Sequence, residues 1–144
     1  MAGGAQPGGG FVSGSASSNA AAVARALDRA AARSLPAVET AMRHSAKALT
    51  YRVQRNASGR PGPRVITGRY RASWRSEVFR DGQTVVGVVG TGEPQARRLE
   101  FGFVGVDSLG RRYNQPPFPH VGPAVEAVGP VLVREFGDAL RRSL

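Results

Sequence analysis

Nine apolar residues, Val23, Leu27, Ala31, Leu35, Val38, Met42, Ala46, Leu49 and Val53, recur every three or four positions along one unbroken stretch. That spacing puts a single apolar stripe on an α-helix, whereas a half-buried strand would alternate at every second residue. Arg25, Arg29, Arg33, Arg43 and Arg52 lie mostly off the stripe. Pro36 has no amide hydrogen to give a helix interior, yet the apolar period continues through it. The pattern therefore predicts a kinked helix, or two helices end to end, spanning about 45 Å at 1.5 Å per residue.

The flanking segments are of a different kind. Met1 to Ser18 is made of Gly, Ala and Ser with one Pro and one Gln, and Phe11 and Val12 are its only sizeable apolar side chains after the initial Met. Alone it cannot bury enough surface to offset its ordering entropy, so residues 1–18 read as a flexible arm before a domain at 19–144. Phe11 and Val12 would anchor that arm on a neighbour. Asn56 to Pro63 is rich in residues that stop a helix. Thr67 suits an N-cap for a short turn through Ser73, with Gly68 giving a tight approach. Trp74 to Arg80 and Thr84 to Thr91 read as paired strands around Asp81-Gly82, with Val85, Val86, Val88 and Val89 supplying β-branched content. Pro94 and Gly102 bracket a short helix, and Ser108 to Pro119 reads as a loop stiffened by Pro116, Pro117 and Pro119. Pro123 opens a last helix with Val125, Val128, Leu132, Phe136 and Leu140 on one face, bent at Gly129-Pro130. Arg141 and Arg142 favour the negative end of its dipole. The predicted fold class is α+β: a long kinked N-terminal helix and a C-terminal helix packed on a small antiparallel β-sheet.

Charge narrows the function classes. The net charge of +10 falls wholly on residues 1–75, which hold twelve basic and two acidic side chains; residues 76–144 hold eight of each. All basic residues but Lys47 are arginine. Such a half-chain is either a solvated face that resists self-association or a face near nucleic acid, held to phosphates by counterion release. There is no cysteine, which excludes disulfides and thiolate metal sites. The most apolar stretch, Ala20 to Leu27, is broken by Arg25, so no membrane span is expected. Met1 to Ser18 has neither the basic start nor the apolar middle of a secretion signal.

Catalytic signals are weak. His44 and His120 fall in different elements without a partner at ligand spacing, and both read as packing or interface residues. No nucleophile elbow and no phosphate-cradling loop is present. Gly90-Thr91-Gly92-Glu93-Pro94-Gln95 resembles a dinucleotide-binding turn only superficially, since Gln95 stands where Gly or Ala is needed and the preceding strand belongs to a hairpin. No catalytic, cofactor or metal residue is therefore named. Trp74, Tyr70 and Tyr113 are too dispersed for a base-stacking platform, so any DNA contact would be with the backbone and indifferent to sequence.

Three segments carry more information together than apart: Thr67-Gly68-Arg69-Tyr70-Arg71-Ala72-Ser73-Trp74, then Arg98-Leu99-Glu100-Phe101-Gly102, then Pro117-Phe118-Pro119-His120-Val121-Gly122-Pro123-Ala124. In this order, behind an Arg-studded helix, they resemble the neck (head–tail connector) proteins of long-tailed bacteriophages over residues 20–143. Thr67, Gly68, Arg69 and Ser73 match that family's Thr-Gly-x-Leu-x-x-Ser segment, with Tyr70 replacing the aliphatic. Glu100-Phe101-Gly102 and Pro117, Phe118, Pro119, Pro123 and Ala124 match the later motifs. The Gly-rich arm and the break at Pro36 depart from the pattern.

The resemblance implies a structural virion protein at the neck, assembled in the host bacterial cytoplasm. It would form a homo-oligomeric ring, hexameric by analogy, between portal-side adaptor or stopper and tail proteins, with DNA in its lumen and no membrane partner. Phe101, Phe103, Phe118 and Val121 would face interfaces or the core beneath them. Arg25, Arg29, Arg33, Arg43 and Arg52 would face the channel. A tail terminator capping the tail tube is the nearest alternative, and a free basic DNA-binding protein a more distant one.

Overall fold

The computed structural model describes residues 9–144, with side-chain surroundings from Asn19 onward. Helix α1 runs from Gly9 to Asn56. It thus enters the segment expected to be a flexible arm; residues 1–8 and the side chains of Phe11 and Val12 lie outside the described residues. Of the two arrangements expected at Pro36, two helices end to end is excluded, because the helix is continuous through it. Pro36 and Ala32 are both exposed, so the Ala32 carbonyl that loses its helical donor can be hydrated instead. Beyond Asn56 the chain turns at Gly59 (φ 136°), whose N–H donates to the Pro63 carbonyl at 2.9 Å.

A single helical turn, α2 (Arg69–Ala72), leads into strands β1 (Arg75–Asp81) and β2 (Thr84–Gly90), which pair antiparallel. Asp81 sits opposite Thr84, so the turn centres on Gly82-Gln83, one residue later than expected, with Gly82 at φ 61°. Val78, Val85 and Val89 are half-buried on the face shared with Gly87. A Cβ on Gly87 would lie 2.6 Å from the Met42 sulfur, so a hydrogen at this position lets α1 lie close on the strand. The opposite face, with Glu77, Phe79, Asp81 and Val88, is exposed.

Helix α3 (Ala96–Phe101) is followed by β3 (Phe103–Val106) and β4 (Arg112–Gln115), a second antiparallel hairpin whose β4 falls in the expected Ser108–Pro119 loop. Its turn is organised by Asp107. That carboxylate accepts from the N–H groups of Leu109 and Arg111 (2.9 Å each), from Arg111 Nε at 2.7 Å and from the Tyr113 hydroxyl at 3.1 Å. Helix α4 (Val121–Ser143) passes Gly129-Pro130 without a break.

The fold is α+β as expected, with its β-structure in two separate hairpins. Helix α4 runs back along α1: Asn56 Nδ2 donates to the His120 carbonyl at 3.1 Å, and Ser45 Oγ donates to Glu135 at 3.1 Å further along. The core between them is thin. Val53, Trp74 and Ala124 form its centre, with Leu49, Tyr70, Val89 and Val121 packed around. Every α1 residue from Asn19 to Arg29 is exposed, because α4 ends before reaching them.

Candidate functional site

The three motif segments converge on His120, which is completely buried. Tyr70, from the first motif, places its hydroxyl 2.6 Å from His120 Nε2. His120 Nδ1 lies 2.9 Å from the Phe118 carbonyl and 3.0 Å from a Glu100 oxygen, both acceptors. These partners assign the proton to Nδ1 and leave Nε2 to accept from Tyr70. Tyr70, Trp74 and His120 stand edge-to-face in a triangle, with ring centroids 5.6 to 6.1 Å apart. Trp74 Nε1 is buried within it without an acceptor among the described residues. Burial pushes the Tyr70 phenol up to about 12, so it stays a hydrogen-bond donor throughout the physiological range.

Glu100, from the second motif, closes the joint. Its carboxylate accepts from the backbone N–H groups of His120 (2.8 Å), Val121 (2.9 Å) and Gly122 (2.9 Å), the free donors at the start of α4. Burial raises the Glu100 pKa, but the Val121, Gly122 and His120 amides that donate to it outweigh this and hold the group below the usual carboxylate range. Gly102, at φ 77° directly after α3, makes this reach possible, since a Cβ there would meet the Gln115 carbonyl at 2.8 Å. Thr67, expected as the cap of α2, accepts from the Arg69 N–H at 3.3 Å while Gly68 holds the capping position.

Of the residues singled out for interfaces, Phe118 and Val121 flank His120 and are half-buried, Phe118 beneath the Arg60 guanidinium at 3.8 Å. Phe103 is half-buried under Arg98, 4.0 Å from the ring centroid. Phe101 is 74 % exposed. Arg25, Arg29 and Arg33 are exposed on the uncovered part of α1 and, four residues apart, share one of its faces. Arg43 is held by Glu39 at 2.7 Å, and the other oxygen of that carboxylate binds Arg80. Arg52 is exposed, but half a turn round the helix from the ridge that Arg25 and Arg29 form.

Sequence reasoning did not find the role of Glu100, nor the apolar surface that the fold leaves open. Ile66 is 93 % exposed and Val104 80 %, and Val23, Leu27, Val106 and Leu109 are exposed with them. Only strand register, which puts Val104 and Val106 outward opposite Asn114 and Arg112, could have signalled part of this. A cleft of about 820 Å³ separates the α1–β1 connection from α3, lined among others by Arg60, Arg64, Ile66, Arg69, Leu99 and Phe118. Its lining offers cations and apolar contact, the means of holding a surface. Among the described residues no cluster of three or more His, Asp or Glu side chains could hold a metal ion, and no helix is long and apolar enough to cross a membrane.

Comparison with curated proteins and with solved structures found no match. Comparison with protein-family models matched residues 20–102, more than half of the chain, to the family of the bacteriophage HK97-gp10 tail component. That span holds most of α1, the first hairpin and the first two motifs, and the match agrees with the resemblance to phage neck proteins. The chain therefore belongs to the HK97-gp10-like family of phage tail components.

Proposed function

We propose that this protein is a ring-forming subunit of the phage neck, joining the portal side of the capsid to the tail and leaving a lumen for DNA. The observation that carries this reading is the amount of surface left uncovered. Among the described residues sixteen large apolar side chains are exposed. Uncovered apolar side chains occur on the free part of α1, on the second hairpin and on the α1–β1 connection, as a subunit with several neighbours requires. Arg25, Arg29 and Arg33 give the free part of α1 a positive ridge suited to the DNA backbone.

Light scattering on the purified protein, followed by imaging of the phage particle, tests the proposal. A discrete oligomer whose ring sits at the head–tail junction supports it. A protein that stays monomeric at high concentration and is missing from purified particles overturns it. The family's description as tail components favours one second reading, a terminator ring capping the tail tube. Co-purification with tails that lack heads would select that reading over a portal-side ring.

A further inference from the structure

Among the charged groups without an ionic partner in the described residues, two sets stand beside exposed apolar side chains on separate parts of the subunit. On the exposed face of the first hairpin, Glu77 and Asp81 alternate with Phe79 along β1, and Val88 lies opposite Glu77 on β2. Neither carboxylate has an ionic partner among the described residues. Arg75 shares this face at its root, turned back to the carbonyls of Ala72 and Trp74. On the α1–β1 connection, Arg60, Arg64 and Arg71 are likewise without a carboxylate among the described residues, whereas Arg69 is paired with Glu93. Val65 and the almost fully exposed Ile66 lie between them.

The two sets match in chemistry: acid with two apolar side chains on one, arginine with two apolar side chains on the other. They do not pair within one chain: neither Glu77 nor Asp81 is bonded to these arginines, and Asp81 lies far from them. Asp81 follows Arg80, which is tied to Glu39, while the cleft under the connection begins at Ala57. Eighteen helical residues separate those anchor points, about 27 Å, more than three screening lengths at physiological salt.

We infer that the exposed face of the β1–β2 hairpin of one subunit docks on the Arg64–Arg71 connection of the next copy of this chain. The two faces differ, so the contact is head-to-tail, the type that propagates around a closed ring and not the self-complementary type of a two-fold dimer. Phe79 and Val88 meet Val65 and Ile66, and Glu77 and Asp81 meet Arg64 and Arg71. This inference rests on the ring reading above and names the surfaces that build it.

Reciprocal charge reversal tests the pairing. One variant carries Glu77→Arg with Asp81→Arg, the other Arg64→Glu with Arg71→Glu, and each is checked for native helix content before light scattering. Each variant alone has two like-charged faces and should lose at least tenfold of its assembled fraction. Mixed in equal amounts, they present opposite charges at every contact and should assemble again as alternating rings.

Either variant assembling as the unmodified chain does would overturn the pairing, as would a mixture of folded variants that stays dissociated. If a reversal prevents folding, the neutral pair Glu77→Gln with Asp81→Asn serves instead. It should weaken assembly severalfold and flatten its salt dependence, and unchanged assembly would overturn the pairing. An unmodified chain that never oligomerises and is missing from particles defeats the ring reading itself, a separate result from failed pairing in a chain that does assemble.

Discussion

Replacing Glu100 by Ala removes the acceptor for three backbone donors at the start of α4. Loss of a capping side chain costs about 1–2 kcal/mol. The His120 N–H belongs to a completely buried residue, so leaving it unpaired adds about 1–3 kcal/mol. Val121 and Gly122 are partly or fully exposed, so water replaces their acceptor and they add little. The expected total is about 2–5 kcal/mol, a fall of roughly 10 °C in Tm for a chain of this size. Glu100→Gln keeps one acceptor oxygen without the charge and should lose about half as much.

Urea denaturation followed by circular dichroism and by fluorescence of Trp74, the one tryptophan in the chain, reports both overall folding and this joint. The sign with pH is fixed by the lowered carboxyl pKa. The Glu100 contribution is complete above its ordinary value of 4.5 and disappears as pH falls through the lower folded value. The gap between the unmodified chain and Glu100→Gln should therefore close in acid. A Glu100→Ala loss below about 0.5 kcal/mol at neutral pH would refute the argument that this carboxylate holds the three motifs together.

Other perturbations separate backbone geometry, local order and assembly. Gly102→Ala, which forces a Cβ to 2.8 Å from the Gln115 carbonyl at φ 77°, should cost at least about 2 kcal/mol by urea denaturation; Gly92→Ala, with open space around it, should stay within about 0.5 kcal/mol. Asp107→Ala removes the acceptor that organises the second hairpin's turn. It should speed amide exchange across residues 103–115 by tenfold or more while leaving the Trp74 transition in place, and a matching global loss would show that the hairpin folds as part of the core. Neutralising Arg25, Arg29 and Arg33 together as Gln should leave stability within about 0.5 kcal/mol and assembly intact while altering DNA retention in particles. Lost assembly with unchanged DNA handling would assign these arginines to contacts between subunits.

The long helix was legible because its signal repeats: from Leu35 to Val53, residues of the predicted stripe are half-buried or buried. The first hairpin was legible from its valines, though its turn fell one residue late, at Gly82-Gln83. The second was not. Arg112-Tyr113-Asn114-Gln115 has no apolar alternation, and what folds it is Asp107 binding groups two to six residues further on. At Pro36 the apolar period that runs through it was the better guide: the helix is continuous there, and solvent can hydrate the carbonyl that an exposed proline leaves without a donor. The joint itself joins Tyr70, Glu100 and His120 across fifty residues. Local spacing holds no record of that, and a motif resemblance could mark the positions without saying that they touch. His120, expected to be a packing or interface residue, lies at the centre of the joint.

Helix α1 is clamped along one end and bare along the other, which makes it a lever. Val23 stands thirty residues from Val53 in the core, about 45 Å along the axis. A tilt of about 10° at the clamp therefore swings Val23 through roughly 8 Å, using the same rise per residue. In the proposed ring, with the free ends of these rods turned to the lumen, small adjustments in packing around Trp74 and Ala124 would set the width of the opening, so that one sequence could match collars of different bore.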